Sequence, residues 1–239
     1  MLNALLYICL LLSLSFSPSP SADHQIKVTQ LQENIYLYQS FATYEEELIS
    51  ANGLVLVSED EVALLDTPWD KSQTRQLLNW IKEELNKPVT FAVITHAHMD
   101  RIGGIDVLKN NHISTISGTH TATEAVQNGY TKPDNSFQSD TLLTYGNASI
   151  DVFYPGPGHT IDNTVVYLNE QEVLYGGCFI KSAQAQSLGN LADAHVADWP
   201  QSLREVKNRY PERKQVIPGH GKWKPGTIEN TLKLLSEAD

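Results

Sequence analysis

Three side chains able to bind a metal fall within five residues in the stretch His96-Ala97-His98-Met99-Asp100-Arg101, which Gly103-Gly104 closes. A spacing of two lets both imidazoles converge on one ion only where the backbone curls. In a flat strand the two rings would share a face and stand parallel. The glycine pair lets the chain turn tightly close to such a site. Three more donors each follow an apolar run and sit among glycines: His159 in Gly156-Pro157-Gly158-His159, Cys178 in Gly176-Gly177-Cys178, and His220 in Pro218-Gly219-His220-Gly221. Alone, each of these reads as a glycine-rich turn. Together with the first motif they form a donor set.

Six donors are too many for one closed zinc site, which takes four ligands. They suit two ions with three protein ligands each, leaving positions open for a shared water. Thiol and imidazole favour zinc over magnesium or calcium. Two metals around a water are suited to hydrolysis. His24, His112, His120 and His195 lack such settings and read as surface or structural residues. Asp66 closes an apolar run and reads either as a turn residue or as a buried carboxylate beneath a metal.

The elements that must position these donors are legible from periodicity. Apolar, β-branched runs predict strands over 26–28, 35–38, 54–57, 61–65, 90–94, 113–117 and 215–217. Hairpins are predicted around Gly146-Asn147 and Asn169-Glu170. Leu77, Leu78, Ile81 and Leu85 recur at helical spacing, which predicts a helix over 72–85. A short helix begins at Ile105, and another spans 121–128. Asp198 is expected to cap a helix over 199–210, with Pro200 in its first turn, and Thr227 to cap the last helix. Phe41–Asn52 is polar, carries Glu45-Glu46-Glu47, and reads as a mobile hairpin loop ending at Asn52-Gly53. Strands and helices alternate in two halves with no linker. Two sheets packed face to face with helices outside satisfy this order.

The 239-residue chain has a net charge of −11 and 41% hydrophobic residues, enough for one domain with a substantial core. No basic stripe is present, which speaks against a nucleic-acid partner. Leu5 to Phe16 is apolar apart from Ser13 and Ser15, too short to span a bilayer, and is followed by Ser17-Pro18-Ser19-Pro20-Ser21-Ala22. This is the layout of a secretory signal peptide over residues 1–22, although no Lys or Arg precedes the apolar run. Cys9 lies inside that run, so no lipid anchor is expected. A mature chain over 23–239 would keep Cys178 alone, without a disulfide partner.

His-x-His-x-Asp-Arg, Gly-His-Thr, Gly-Gly-Cys and Pro-Gly-His resemble the metallo-β-lactamases, in particular the subclass with one three-His zinc site and one Asp-Cys-His zinc site. The resemblance covers nearly all of the mature chain, including Leu65-Asp66-Thr67-Pro68-Trp69 and Gly189-Asn190-Leu191. It implies an α/β fold, the αββα sandwich. It implies His96, His98 and His159 on the first zinc, and Asp100, Cys178 and His220 on the second. Lys181 matches the anchor for a substrate carboxylate, and Asn190 a residue near the lactam carbonyl; with Asp100 they make up the implied catalytic set. Arg101 occupies a position where members differ and takes no catalytic role. The 41–52 segment matches a mobile flap, here acidic and without a tryptophan at its tip.

The implied activity is hydrolysis of the β-lactam amide of penicillins, cephalosporins and carbapenems by a metal-bound hydroxide, conferring antibiotic resistance. The partner is then a small-molecule β-lactam, and the protein a periplasmic monomer without a membrane anchor. A thiolester hydrolase resembling glyoxalase II would carry His at Arg101 and a bridging aspartate at Cys178, so these two residues speak against it. A zinc storage protein would be expected to close its coordination spheres, which six donors for two ions do not do.

Overall fold

The computed structural model of the protein describes residues 24–44 and 46–238. The expected signal peptide, Cys9 and the cleavage point lie outside the described residues.

Two sheets form the centre. The first holds seven strands in sequence order: β1 (Lys27–Gln32), β2 (Ile35–Tyr44), β3 (Glu47–Val57), β4 (Val62–Leu65), β5 (Val89–Ile94), β6 (Ser114–Gly118) and β7 (Asn135–Phe137). β1 to β4 pair antiparallel, and β4 to β7 pair parallel. The second sheet holds β8 (Asp140–Tyr145), β9 (Ala148–Phe153), β10 (Val165–Leu168), β11 (Val173–Gly177) and β12 (Gln215–Pro218), in the order β12-β11-β10-β9-β8. Only β11 and β12 are parallel there.

The sheets face each other across one apolar layer. Ile35, Leu37, Leu54, Leu56, Leu65 and Val93 meet Ile150, Val152, Val166, Leu168, Tyr175 and Ile217, all buried. Alternate residues of the same strands face outward and are covered by helices, as the period of two in a strand requires. Val55, Leu64 and Ala92 pack under α1 (Lys71–Trp80) and α3 (Ile105–Asn110) through Leu77 and Leu108. Val165, Tyr167 and Leu174 pack under α5 (Trp199–Arg209) and α6 (Thr227–Glu237) through Leu203, Val206, Ile228 and Leu235. Two short helices, α2 (Met99–Ile102) and α4 (Thr119–Gln127), flank the parallel strands. The result is the helix–sheet–sheet–helix layering that the order of elements implied.

Several local expectations are corrected. Residues 41–44 and 47–52 are paired strand rather than loop: β2 and β3 stay in register out to Tyr44 and Glu47. Backbone pairing does not depend on side-chain polarity, so a polar segment extends the hairpin beyond the sandwich. Gln73 fixes its root by bonding both the N–H and the carbonyl of Phe41, at 2.7 and 2.8 Å. Asn52-Gly53 is therefore mid-strand. Gly53 is required because the Tyr38 ring crosses over it, leaving 2.1 Å to where a Cβ would sit. The helix over 72–85 is regular only to Trp80, widens into a π-helical turn over Ile81–Leu85, and ends on left-handed Asn86. Gly226, not Thr227, precedes α6, and neither it nor Asp198 makes a side-chain cap. The strand β7 has no counterpart in the sequence reading.

Candidate metal centre

Every donor singled out in the sequence lies at one end of the sandwich. His96, His98 and Asp100 follow β5. The first turn of α2 begins directly after His98, and this supplies the curl that a flat strand lacks. His159 lies on the loop between β9 and β10, Cys178 directly after β11, and His220 directly after β12. The last two loops touch: Gly219 N–H donates to the Gly177 carbonyl at 2.6 Å. A Cβ on Gly219 would meet the backbone of Gly177 and Cys178 at 2.5 and 2.6 Å, so only glycine allows this approach.

The donors form two adjoining groups. In one, the rings of His96, His98 and His159 stand 4.8 to 5.2 Å apart between centroids and nearly perpendicular to one another. One ring nitrogen of each lies within 4.8 Å of those of the other two. In the other group, Cys178 Sγ is 3.2 Å from Asp100 Oδ2 and 3.3 Å from His220 Nε2, and His220 Nε2 is 3.2 Å from Asp100 Oδ2. His96 lies between them, since its ligand atom is also within 4.8 Å of those of Asp100 and Cys178.

The electrostatics fit a cation in each group. Burial, aided by neighbouring positive groups, holds the His96 and His159 imidazoles well below the usual histidine range, so both present neutral lone pairs. His96 Nε2 and His159 Nδ1 are buried without a hydrogen-bond partner among the described residues. Buried polar atoms are otherwise nearly always paired, so unpaired ring nitrogens in a cluster of three histidines fit metal ligation. Burial pushes the Asp100 carboxyl up, but Arg101 and His220 outweigh it and hold the group well below the usual carboxylate range. Burial pushes the His220 imidazole down, while Cys178 and Asp100 overcome this and raise it to about 9. The negative field that raises His220 would equally favour a cation held among these three side chains. Thiol, imidazole and carboxylate in threes, with open positions, match zinc.

Supporting side chains orient the donors, as is usual around metal sites. His98 Nε2 pairs with Asp193 Oδ2 at 2.9 Å, and His220 Nδ1 faces the Ser50 carbonyl at 2.7 Å. Arg101 is fully buried beneath the second group. It donates to Cys178 Sγ, the carbonyls of Asn52 and Gly219, and Tyr175 Oη, and pairs with Asp100. Asp66 is buried but touches no donor directly. It accepts from Thr95 N–H, Thr95 Oγ1 and Tyr175 Oη, and lies 3.5 Å from Arg101. Burial raises its carboxyl to about 6 against the opposing pull of Arg101 and these hydrogen bonds.

Lys181 stands three residues beyond Cys178, half-buried beside the second group. Asn190 is exposed, and its Oδ1 accepts from Ala192 N–H at 3.0 Å. The sequence reading missed Arg101 and Asp193. A charge directly after the motif aspartate, and a carboxylate three residues beyond Asn190, were the signals available.

Comparison with known proteins follows the same lines. The family model of the metallo-beta-lactamase superfamily matches residues 48–220. The chain is 41% identical over 211 residues to the metallo-beta-lactamase type 2 of Bacillus cereus, covering 88% of this chain and 82% of that protein. The metallo-beta-lactamase from Pontibacter korlensis superimposes with a TM-score of 0.87 at 38% identity, covering 89% of this chain and 99% of that one. The metallo-beta-lactamase FIM-1 from Pseudomonas aeruginosa, in its mono-zinc form, superimposes with a TM-score of 0.84 at 35% identity, covering 90% and 96%. With its fold, its two donor groups and these relatives in agreement, the chain belongs to the metallo-β-lactamase superfamily.

Proposed function

We propose that His96, His98 and His159 hold one zinc ion and Asp100, Cys178 and His220 a second, and that the pair serves zinc-dependent hydrolysis of the β-lactam amide bond. The observation that carries this reading is the adjacency of the two groups through His96, at the open end of the sandwich. When bound, the two ions supply the Lewis acidity and the lowered water pKa that amide hydrolysis needs.

The chain's own residues supply the rest. The Lys181 ammonium pairs with the carboxylate that β-lactam antibiotics carry beside the scissile amide. Asn190, whose Oδ1 accepts from Ala192 N–H, directs its Nδ2 donor to the lactam carbonyl. Asp193 and the Ser50 carbonyl fix the His98 and His220 rings by their outer nitrogens. Arg101 balances the negative charge of Asp100 and donates to Cys178 Sγ from below. The β2–β3 hairpin is tied to the site through His220 and the Ser50 carbonyl.

The preferred substrates in this reading are penicillins, cephalosporins and carbapenems. Residues 1–22 direct export to the periplasm, and residues 23–239 act as a monomeric catalytic domain. The apolar segment followed by small residues supports the export signal, and among the described residues no helix is long and apolar enough to cross a membrane. The test of the activity is hydrolysis of nitrocefin and of one antibiotic from each class, before and after dialysis against a strong chelator. Loss of turnover on chelation and its return with zinc are expected. Full turnover with no metal detectable by elemental analysis would contradict the reading.

A further inference from the structure

Trp199 opens α5 and is completely buried, which by itself describes a core residue. Its neighbours are not those of an ordinary core residue. Lys181 Nζ lies 5.2 Å from the centre of the indole. The His159 ring lies 5.8 Å away, tilted by 51°. Phe179 stacks at 6.0 Å and 25°, and its carbonyl accepts from Trp199 Nε1 at 3.0 Å. That bond and that stack together fix the plane of the indole, so its faces cannot turn away. A Cβ on Gly158 would come within 3.0 Å of the indole and 2.4 Å of Phe179, so the glycine before His159 is what lets the loop settle onto these rings.

The lysine is held from the other side as well. Lys181 N–H donates to the Thr231 hydroxyl at 2.9 Å, which pins the start of its side chain against α6. A half-buried ammonium has lost part of its hydration, and an aromatic face returns part of that stabilisation when the cation lies within about 6 Å of the ring. The ring face leaves the ammonium's own N–H donors free for a carboxylate. One buried ring therefore touches a donor of the three-His group and the substrate anchor beside the second group.

We propose that Trp199 is a positioning residue, whose indole face holds the Lys181 ammonium where a substrate carboxylate reaches it. The inference rests on the reading of Lys181 as the carboxylate anchor. It assigns Trp199 a share of substrate binding through Lys181, beyond its share of the core.

A double-mutant cycle on the zinc-loaded protein tests it, using Trp199→Phe, Lys181→Ala and the double variant, with a penicillin and a cephalosporin as substrates. Phenylalanine keeps a ring but presents a weaker face, so Trp199→Phe should raise KM about threefold to tenfold while kcat stays within about twofold. Zinc content should not change. In the Lys181→Ala background the same substitution should leave KM alone. An equal rise of KM in both backgrounds, with a full effect of Lys181→Ala, would overturn the inference and leave the anchor standing. An unchanged KM for Lys181→Ala alone would remove the anchor and the inference with it. A second measurement needs no folded Trp199 variant. In wild-type protein labelled with carbon-13 lysine, the ε-methylene proton resonance that Lys181→Ala removes should lie upfield of the other lysines, shifted by the indole ring current. A resonance at the ordinary lysine position would also overturn the inference.

Discussion

The guanidinium of Arg101 donates to Cys178 Sγ from both Nε and Nη2, at 3.3 and 3.2 Å, and the same Nη2 lies 2.9 Å from Asp100 Oδ2. Two donors of the second group are thus braced by one residue that is itself no ligand. Nη1 of Arg101 meanwhile binds the Asn52 carbonyl and Tyr175 Oη. The planar fork spans all of these partners at once, which a lysine ammonium cannot do.

Removing this charge leaves Asp100, Asp66 and the carbonyls of Asn52 and Gly219 buried without their Arg101 partner. Breaking a buried pair from one side costs about 3 to 5 kcal/mol. Arg101→Met should therefore lower the unfolding free energy of the metal-free protein by about that amount, and Arg101→Lys should recover less than half of it. Urea unfolding of the three proteins measures this. A loss below about 1 kcal/mol for the methionine variant would mean that the bonds to Arg101 are not sustained in solution.

Asp193 orients His98 from a side chain that is 60% exposed. Loss of such an outer partner typically weakens metal binding about 10- to 100-fold. Asp193→Ala should lower zinc affinity at the three-His group toward that range, and Asp193→Asn, which can still accept from the ring N–H, should restore most of it. Competition with a chromophoric chelator reads both. Equal affinity for all three proteins would place Asp193 outside the centre's support.

Asp66 carries a pH signature. Its carboxyl is raised from 3.8 to about 6 in the folded protein, chiefly by burial. The folded state therefore holds this proton more tightly than the unfolded chain. The resulting stabilisation is whole below pH 3.8 and is lost as pH rises through about 6. At about 1.4 kcal/mol per pH unit, the loss approaches roughly 3 kcal/mol. Asp66→Asn lacks the titration, so wild-type minus variant stability in metal-free protein should fall across pH 4 to 6 by about that amount. A flat difference over this range would show that Asp66 stays ionised in the fold.

What could be read from the chain was whatever lies close together along it. His96, His98 and Asp100 form a dense local pattern, and His159, Cys178 and His220 each sit on a glycine turn at a strand end. Apolar runs marked the strands of both sheets apart from β7, and helical spacing and caps marked most of the helices over them. Bonds between distant segments were not legible. Arg101 meets partners 49 to 118 residues away, and Asp193 lies 95 residues from His98. The outer β2–β3 hairpin is built from backbone pairing, which leaves no mark in the polarity of Glu47 or Ser50. Trp199 read as the start of a helix, since nothing in its neighbourhood names Lys181.

The central claim is that six donors make two zinc sites, one of which depends on Cys178. The most direct measurement is the zinc content of purified Cys178→Ser at low free zinc, beside wild type. Serine replaces a soft thiolate ligand with a hard and mostly protonated hydroxyl, and it leaves the three-His group untouched. Two zinc ions per wild-type chain and one per variant chain are expected, with hydrolysis strongly reduced and partly rescued at high zinc. Two zinc ions per variant chain at low free zinc would contradict the claim.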